Sequence, residues 1–191
     1  MLQATFLKSA ASWKHYPEDA GVEVAFAGRS NSGKSSSINA ILNRRGLARS
    51  SKTPGRTQML QFFSVGEQRR IVDLPGYGYA AAPLRVRRQW EGMMSDYFRR
   101  RGTLRGVFIV VDARRGVGEL DLRMLDVCAG ADAPVHLLMN KCDRLKRGAL
   151  IDTLREAERL LGGNGTVQEF SALRAVGVEE ARAVLVAWLD A

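Results

Sequence analysis

Residues 28–35 read Gly28-Arg29-Ser30-Asn31-Ser32-Gly33-Lys34-Ser35, which fits the pattern G-x-x-x-x-G-K-[ST] of loops that bind nucleotide phosphates. The run from Val22 to Ala27 before it is rich in strand formers, and the run from Ser36 to Leu42 after it has helical spacing. Between a strand and a helix, such a glycine-rich loop surrounds a polyphosphate with backbone N–H groups. A chance match in an unrelated turn is the alternative, and it is disfavoured because both flanks agree.

Two side chains of this loop and one later segment are expected to act on the phosphates. Lys34 is placed to reach the β- and γ-phosphates, and the Ser35 hydroxyl is placed to bind Mg²⁺. Asp73 ends a second apolar run and is placed to hold the same Mg²⁺, usually through water, while the Gly76 amide can meet the γ-phosphate. Aspartate before Pro75 and Gly76 is also ordinary turn chemistry, but in a chain with a phosphate loop that interpretation is the weaker one.

A further motif lies in residues 140–143, where Asn140-Lys141-Cys142-Asp143 matches N-K-x-D after an apolar run. A carboxylate accepts both the ring N1–H and the exocyclic amine of guanine, whereas adenine would leave it unpaired at a cost in free energy. Asn140 is expected to contact N7, and the Lys141 stem to pack along the base. Ser171-Ala172 follows the last predicted strand and is expected to bring a backbone N–H to the guanine O6. The motif therefore predicts a guanine nucleotide.

Length and composition are typical of one globular domain. The chain has 191 residues, of which 46% are hydrophobic and 26% charged, which is enough for a core and untypical of disorder. Cys128 and Cys142 lack disulfide or zinc spacing, so both are expected to be buried free thiols. The N-terminal residues contain no apolar stretch of signal-peptide length, and no run approaches the ~18 apolar residues of a membrane span. We therefore expect a cytoplasmic protein without stable membrane association.

The formal net charge of +9 is concentrated in one part of the chain. Residues 44–115 carry 16 basic and 5 acidic side chains, a net charge of +11, while the remainder has a net charge of −2. A uniformly solvated surface would not concentrate charge in this way, so this segment predicts a polyanionic partner such as nucleic acid. On a helix predicted from Pro83 to Arg101, four arginines are expected to fall away from the apolar face: Arg85, Arg88, Arg99 and Arg101.

Apolar runs of strand length alternate with helical patterns along the chain. This alternation predicts an α/β fold with three layers, a mostly parallel six-stranded sheet flanked by helices, as in P-loop NTPases. Met59 to Val65 and Arg70 to Asp73 are expected to form a hairpin around Gly66-Glu67. Residues 1–21 are expected to be an irregular lead-in to a single domain that covers residues 1–191. Because ligands bind at the carboxyl ends of the strands in such sheets, the motifs should converge in space.

With these motifs the sequence resembles the translation-factor-like P-loop GTPases and, among them, the EngB family. The match covers nearly the whole chain and is most specific in Asp73-Leu74-Pro75-Gly76-Tyr77-Gly78-Tyr79-Ala80. It also includes Thr53-Pro54-Gly55-Arg56-Thr57-Gln58 and the run from Arg85 to Trp90. Ser32 stands where valine is usual and Cys142 where alanine is usual, but neither position uses its side chain for chemistry.

The resemblance implies a GTP or GDP site with Mg²⁺ as a cofactor. Thr57 would complete the Mg²⁺ shell beside Ser35 and Asp73 and would sense the γ-phosphate, with Thr53 as the local alternative. The catalytic residues that it implies are Lys34, Thr57, Gly76 and Asn31. The nucleotide contacts that it implies are Gly28, Arg29, Ser30, Asn31, Ser32, Gly33, Lys34, Ser35, Ser36, Gly55, Arg56, Thr57, Gln58, Met59, Asp73, Leu74, Pro75, Gly76, Asn140, Lys141, Cys142, Asp143, Phe170, Ser171 and Ala172.

Two positions bear on the rate of hydrolysis. Many GTPases have a water-orienting glutamine directly after the glycine of the D-x-x-G motif, and here that position is Tyr77. Slow intrinsic hydrolysis is therefore expected, with help from another group, ion or partner. Asn31 lies where related GTPases use asparagine to bind K⁺ beside the phosphates. The alternative is an asparagine that tolerates an unusual backbone conformation.

Two functions stay open on the sequence alone. The resemblance implies a GTP-operated factor, expected to be a monomer, in assembly of the large ribosomal subunit and linked to cell division and septation. Ribosomal RNA would bind through the basic segment 44–115. The alternative is a signalling or cell-division GTPase that acts through protein partners, which leaves the charge of that segment unexplained. A metabolic phosphotransferase is disfavoured because it has no need of a guanine-specific motif.

Overall fold

The computed structural model describes residues 3–49, 59–78 and 84–191, apart from the side chains of Leu84 and Arg87. Its strands are β1 Thr5–Ala10, β2 Val22–Gly28, β3 Leu60–Ser64, β4 Arg69–Asp73, β5 Leu104–Asp112, β6 Val135–Asn140 and β7 Gly165–Glu169. Its helices are α1 Lys34–Ile41, α2 Leu84–Arg100, α3 Glu119–Gly130, α4 Arg147–Leu161 and α5 Val178–Leu189. Within these ranges the strands form a seven-stranded sheet in the order β1-β3-β4-β2-β5-β6-β7.

The sheet is mostly parallel, which confirms the α/β fold. Strands β4, β2, β5, β6 and β7 run parallel to one another, and β3 and β4 form the expected antiparallel hairpin. The run from Val107 to Val111 in β5 is buried throughout, as a parallel strand covered by helices on both faces requires. Pro83, the expected first residue of the next helix, lies outside the described residues, and α2 is described from Leu84 onward.

The expected count of six strands is wrong, because a further strand lies in the lead-in that was expected to be irregular. β1 pairs antiparallel with β3, with Thr5 opposite Ser64. Its side chains are mostly exposed, and Phe6 rests edge-on against Phe63 with the ring centroids 5.9 Å apart. An edge strand held by backbone hydrogen bonds to one neighbour needs no alternating apolar pattern, so its sequence carries little strand signal.

Alternate residues of β2 divide the core into two layers. Ala25 and Ala27 join the apolar cluster under α2, α3 and α4, whereas Val24 and Phe26 join the cluster under α1 and α5. Successive side chains of a strand point to opposite faces of the sheet, so both faces are covered by helices. The carboxyl ends of the parallel strands therefore meet along one edge, and the predicted motifs begin at that edge.

Both cysteines are buried free thiols, as their spacing indicated. Burial raises the pKa of the Cys128 thiol to about 12, so it is un-ionised at neutral pH. Of the helices in the described part of the chain, none has both the length and the apolar character that a bilayer span requires.

Arg101 is not on the surface, contrary to the expectation for the arginines of α2. It directly follows α2, is 7% exposed, and donates from Nε and Nη2 to the fully buried carboxylate of Glu23 in β2. Arg70 Nε donates to the same carboxylate at 2.8 Å, and the Tyr97 hydroxyl donates to it at 3.3 Å. Helical periodicity placed Arg101 outside, but the helix ends one residue earlier and the chain turns inward. These two arginines of the basic segment are thus neutralised inside the protein.

Candidate nucleotide-binding site

The predicted phosphate loop connects β2 to α1, since β2 ends at Gly28 and α1 begins at Lys34. Gly33 has a φ of +99°, and a Cβ atom there would lie 2.2 Å from Nδ2 of Asn140. Gly28 packs against β5, where a Cβ atom would come within 2.7 Å of the Val110 carbonyl oxygen. Both positions need glycine because the loop backbone approaches neighbouring segments this closely.

Polar groups line this loop on both sides. Asn31 is exposed and has a φ of +66°, a left-handed conformation that asparagine tolerates, so its backbone role suffices to explain the residue. Ser32 is 3% exposed, and its hydroxyl and that of Ser30 have no hydrogen-bond partner within the described residues. Buried hydroxyls of this kind call for a partner such as solvent or a ligand, which fits a polar binding loop. The K⁺ role of Asn31 stays a prediction.

Asp73, at the end of β4, meets the start of α1. Its carboxylate is buried, and Oδ1 forms an ion pair with Nζ of Lys34. Burial raises the pKa of Asp73, although the charge of Lys34 acts in the opposite direction. Ser35 follows Lys34 in the first turn of α1. A carboxylate and a hydroxyl are oxygen donors of the kind that Mg²⁺ prefers, so these residues fit the predicted metal.

The segment after Asp73 packs directly on the phosphate loop. The Ser30 N–H donates to the Tyr77 carbonyl at 2.8 Å, and the Tyr77 N–H donates to the Gly28 carbonyl at 3.3 Å. A Cβ atom on Gly76 would lie 3.3 Å from the Ser30 hydroxyl. Gly76 thus lies beside the phosphate loop, where a contact with a γ-phosphate is feasible. Leu74, another predicted contact, is 1% exposed and belongs to the core.

Asn140, at the end of β6, joins two of the other predicted segments. Its Nδ2 donates to the Ser32 carbonyl at 2.8 Å, and its Oδ1 accepts from the Ala172 N–H at 3.2 Å. Lys141 next to it is left-handed, with a φ of +66°, and its Nζ donates to the Asn31 carbonyl at 2.7 Å. Side-chain hydrogen bonds from Asn140 and Lys141 therefore connect the predicted base-binding motif to the phosphate loop.

The residues predicted to recognise guanine also lie together. The Ser171 hydroxyl donates to Oδ1 of Asp143 at 2.6 Å, and the Cys142 N–H donates to the Phe170 carbonyl at 3.2 Å. Phe170 itself is fully buried, so its backbone rather than its ring is at the site. The Asp143 carboxylate and the backbone of Ser171 and Ala172 thus lie beside each other. The N–H groups of that backbone are donated within the protein, from Ser171 to the Val176 carbonyl at 3.0 Å and from Ala172 to Asn140 Oδ1 at 3.2 Å. The predicted contact of this segment with the guanine O6 stays a prediction.

Asp112 was missed in the sequence. It ends β5, and its Oδ2 accepts from Lys141 Nζ at 2.8 Å and from Arg114 Nη2 at 2.6 Å. Burial acts to raise the pKa of Asp112, but the hydrogen bonds from Arg114 and Lys141 lower it below its usual range. An acidic residue at the end of an apolar strand, as at Asp73, was the signal that could have found it. Asp112 holds the Lys141 side chain over the phosphate loop.

Tyr77 and Asp121 form a second contact that the sequence did not reveal. The Tyr77 hydroxyl donates to Oδ1 of Asp121 at 2.8 Å, and the Gly118 N–H donates to Oδ2 at 2.9 Å. Tyr77 is 5% exposed and Asp121 is fully buried, and burial raises the pKa of both side chains. The two residues are 44 positions apart, so no local pattern predicts the pair.

The remaining residues of the predicted site lie outside the described residues or apart from the four segments that meet. Gly55, Arg56, Thr57 and Gln58, together with the alternative Thr53, lie outside the described residues. Met59 precedes β3 and is 42% exposed, and Ser36 is exposed on α1. The structure brings together the segments 28–35, 73–76, 140–143 and 170–172 at one edge of the sheet. The individual roles of these residues stay predictions.

Comparison with known proteins identifies the family. The model of a family described as 50S ribosome-binding GTPase matches residues 23–141. A protein of Hydrogenovibrio crunogenus, named probable GTP-binding protein EngB, is 49% identical over 191 residues, which cover 98% of this chain and 90% of that relative. The protein of the same name from Methylococcus capsulatus is also 49% identical, over 97% of this chain and 90% of its own length. The chain belongs to the EngB family.

The resemblance drawn from the motifs is thus confirmed, and solved structures agree on the fold. A crystal structure of a probable GTP-binding protein EngB gives a TM-score of 0.69 at 22% identity, covering 88% of this chain and 99% of that one. A variant of Era from Aquifex aeolicus, bound to GDP and AlF₄⁻, gives 0.65 at 20% identity, covering 88% of this chain and 57% of that one. At these identities the likeness establishes the P-loop GTPase fold. As an EngB family member, the chain is a GTP-binding protein of the P-loop GTPase class.

Proposed function

We propose that the chain is a slow GTPase that acts as a switch in assembly of the large ribosomal subunit. The observation that carries this proposal is the match of residues 23–141 to the family described as 50S ribosome-binding GTPase. The basic segment 44–115 adds physical support, because it presents exposed arginines that suit an RNA partner, among them Arg85 and Arg88 on α2. A signalling GTPase with protein partners is the alternative, and it gives this charge no purpose.

The residues at the carboxyl edge of the sheet divide the work of nucleotide binding. The phosphate loop and Lys34 bind the phosphates, and the carboxylate of Asp143 reads the guanine. Ser35 and Asp73 would hold Mg²⁺, with Thr57 as the third protein ligand. A metal ion held there would supply positive charge to offset the charge of the phosphates. Release of the Lys34 ammonium from Asp73 to the phosphates is the change in contacts that binding requires.

Slow hydrolysis follows from the position of Tyr77. Its hydroxyl donates to the buried carboxylate of Asp121 and its side chain is almost fully enclosed, so it is not free to orient an attacking water. Another group must then assist. The candidate in this chain is Asn31 of the phosphate loop, whose exposed side chain would help to bind K⁺ beside the phosphates.

Cellular context follows from the family resemblance. We infer that the protein works in the cytoplasm as a monomer, where ribosomal subunits are assembled. A link to cell division and septation is inferred on the same ground.

The proposal is tested by binding to purified large ribosomal subunits. Cosedimentation is measured across a salt series, with a non-hydrolysable GTP analogue and with GDP. The GTP form is expected to bind more tightly, and affinity is expected to fall steeply with salt because phosphate contacts release counterions. Charge reversal at Arg87, Arg88 and Arg100 is expected to weaken the complex and to leave GTP affinity nearly unchanged, since none belongs to a nucleotide motif.

Arg159→Glu on α4 is the control for each single reversal, because it also replaces an exposed helical arginine by an acidic residue, outside the basic segment. It is expected to leave binding to the subunit unchanged. Binding that ignores salt, or no binding in either nucleotide state, would contradict the ribosomal proposal and favour protein partners.

A further inference from the structure

A short 3₁₀ turn, Trp13–His15, sits beside the last turns of α2 and belongs to no nucleotide motif. Tyr16 anchors it: the Tyr16 ring packs against Phe62 and Tyr97 with centroid distances of 5.6 and 6.1 Å. The chain is held again just beyond this point, where Arg101 Nη1 donates to the Pro17 carbonyl at 2.9 Å. The turn is therefore fixed to the body of the protein. Trp13 nevertheless remains 44% exposed.

Positive charge surrounds this exposed indole. The guanidinium carbon of Arg100 lies 4.5 Å from the centroid of the Trp13 ring, and Nζ of Lys14 lies 5.9 Å from it. Arg99 is the third cation, with 68% of its side chain exposed. Asp96 is the acidic residue that these arginines contact, and its Oδ1 lies 3.2 Å from both Arg99 and Arg100. Lys14, Arg99 and Arg100 are three cations against the one carboxylate of Asp96, so this surface has an excess of positive charge.

An exposed aromatic ring among cations has a specific use in binding unpaired RNA. Each base can stack on an indole face, and arginine and lysine then bind the flanking phosphates. Stacking tolerates any base, so such a surface does not need hydrogen bonds to base edges. Tryptophan and arginine are also frequent at protein interfaces, but a protein partner here would have to be strongly acidic. The net charge of +9 on the whole chain favours the nucleic acid.

We propose that Trp13, Lys14, Arg99 and Arg100 form an RNA-binding surface, the Trp13 surface, in which the indole stacks on an unpaired base. This inference rests on the proposed function, because it supplies the contact through which ribosomal RNA is bound. It extends the basic segment 44–115 with two residues of the lead-in, one of which is aromatic. Neither residue was assigned a role in binding from the sequence.

The Trp13 surface lies away from the predicted nucleotide site. In α2, Trp90 donates to the Pro75 carbonyl, and Arg100 lies ten residues further on, about 15 Å along the helix. Arg101, the next residue, binds Glu23 near the start of β2, whereas the phosphate loop follows the other end of that strand. Substitutions in the Trp13 surface should therefore change RNA binding without changing GTP affinity, and α2 provides a rigid connection between the two sites.

The test uses two probes, a 12-nucleotide single-stranded oligouridine with a fluorescent label and purified large ribosomal subunits. Trp13→Leu is expected to weaken binding to both about ten- to a hundredfold, as loss of one stacked base does, and to leave the salt dependence unchanged. Arg100→Glu is expected to weaken binding and also to make the slope of log affinity against log salt shallower by about 1 or more. Trp13→Phe keeps an aromatic face and is expected to restore most of the affinity.

Control measurements distinguish a specific effect of the Trp13 surface from a general effect of charge and from loss of folding. Arg159→Glu removes an exposed arginine that contacts a carboxylate on its own helix, as Arg100 does with Asp96, and is expected to change affinity less than twofold. Unchanged GTP affinity and circular dichroism show that the Trp13 variants are folded. Quenching of the indole fluorescence by oligouridine, lost in Trp13→Leu, supports stacking directly.

Three results would overturn the inference, and they differ in what they say about the proposed function. If all variants bind subunits as well as the wild type does, the Trp13 surface is not the contact, and the ribosomal proposal stands. If Trp13→Leu weakens binding to subunits but not to oligouridine, the partner of this surface is a ribosomal protein. If the wild type binds neither probe, the inference and the proposed function fail together.

Discussion

At the scale of single residues, Asp143 is the residue predicted to select the base. Its Oδ1 accepts from the Ser171 hydroxyl at 2.6 Å, and its Oδ2 lies 3.4 Å from Nε of Arg144. Ser171 belongs to the segment predicted to contact the guanine O6, so one hydrogen bond joins the two parts of the predicted base site. The carboxylate is thus oriented by its neighbours, which reduces the entropy that a bound base would have to remove.

Asp143→Asn is expected to weaken GTP binding and to improve binding of xanthosine nucleotides, whose exocyclic oxygen replaces the amine of guanine. Loss of one partner in a charged bidentate pair should cost about 2–4 kcal/mol, roughly tens- to a thousandfold in affinity. The fold should be retained, because the Ser171 hydroxyl can donate to the amide oxygen of asparagine. Titration with fluorescent guanosine and xanthosine nucleotides measures both affinities.

Asp152→Asn on α4 is the control, since it makes the same chemical change on an exposed helix outside the nucleotide segments. It should leave both affinities unchanged. If Asp143→Asn binds GTP as the wild type does, Asp143 does not read the base.

At the scale of elements, the segment Asp73–Tyr77 is held from three directions. Backbone hydrogen bonds join Tyr77 to the phosphate loop, the Tyr77 hydroxyl donates to Asp121 in α3, and Nε1 of Trp90 in α2 donates to the Pro75 carbonyl at 3.1 Å. The Tyr77 and Trp90 rings also meet edge-on, with centroids 6.0 Å apart. The segment that carries Gly76 is therefore positioned by contacts on α2 and α3 as well as by its own sequence.

Tyr77→Phe is expected to destabilise the fold by about 1–3 kcal/mol, because Oδ1 of the buried Asp121 loses its donor. The loss also raises the folded-state pKa of Asp121 further above its unfolded value. A carboxyl group whose pKa is higher in the folded than in the unfolded protein stabilises the fold at pH values below its unfolded pKa. This stabilisation is lost as the pH rises through the folded-state pKa. The difference in unfolding free energy between variant and wild type should therefore be smallest near pH 4 and grow toward neutral pH. Urea unfolding at several pH values measures it.

Asp121→Asn combined with Tyr77→Phe removes the ionisable partner and provides the control. The double variant should lose this pH dependence. A Tyr77→Phe penalty that is equal at all pH values would show that the hydroxyl does not serve the Asp121 carboxylate.

At the scale of the whole molecule, Glu23 joins elements on the side of the sheet opposite the nucleotide. It lies at the start of β2 and binds Arg70 of β4, Arg101 after α2, and the Tyr97 hydroxyl on α2. Both arginines also donate to backbone carbonyls of the lead-in, as Arg70 does to Glu18 at 3.0 Å. One buried carboxylate thus connects the sheet, α2 and the lead-in that carries Trp13.

Glu23→Gln is expected to destabilise the protein by about 3–5 kcal/mol, because it removes the buried carboxylate that two enclosed arginines share and leaves Arg101 only the longer contact with Asp19 at 3.6 Å. Hydrogen exchange should also increase in residues 13–21, where the arginines bind backbone carbonyls. Urea unfolding and exchange measured by mass spectrometry check the two effects. Glu156→Gln, which removes the partner of Arg159 in an exposed ion pair, should leave stability nearly unchanged. Equal behaviour of the two variants would contradict a structural role for Glu23.

The local motifs could be predicted from the sequence because their chemistry is local. The phosphate loop needs a glycine-rich turn between a strand and a helix, and Asn140 to Asp143 needs only the end of the next strand. Alternation of apolar runs and helical patterns then places these segments at one edge of a parallel sheet. The sequence by itself therefore determined the α/β fold class, the family and the segments that meet at the site.

Tertiary structure decided which polar side chains pair, and this could not be predicted from the sequence. Glu23 and Arg101 are 78 positions apart, and Lys141 and Asp112 are 29 apart, so each pair exists only when the strands are assembled. Arg99 and Arg101 have the same chemistry in the sequence, yet one is exposed and the other is enclosed. The physical reason is that burial makes an unpaired charge costly, so the folded chain selects partners by position in space. Strand β1 also depends on tertiary structure, because its partner residues lie fifty or more positions away and its own side chains need not be apolar.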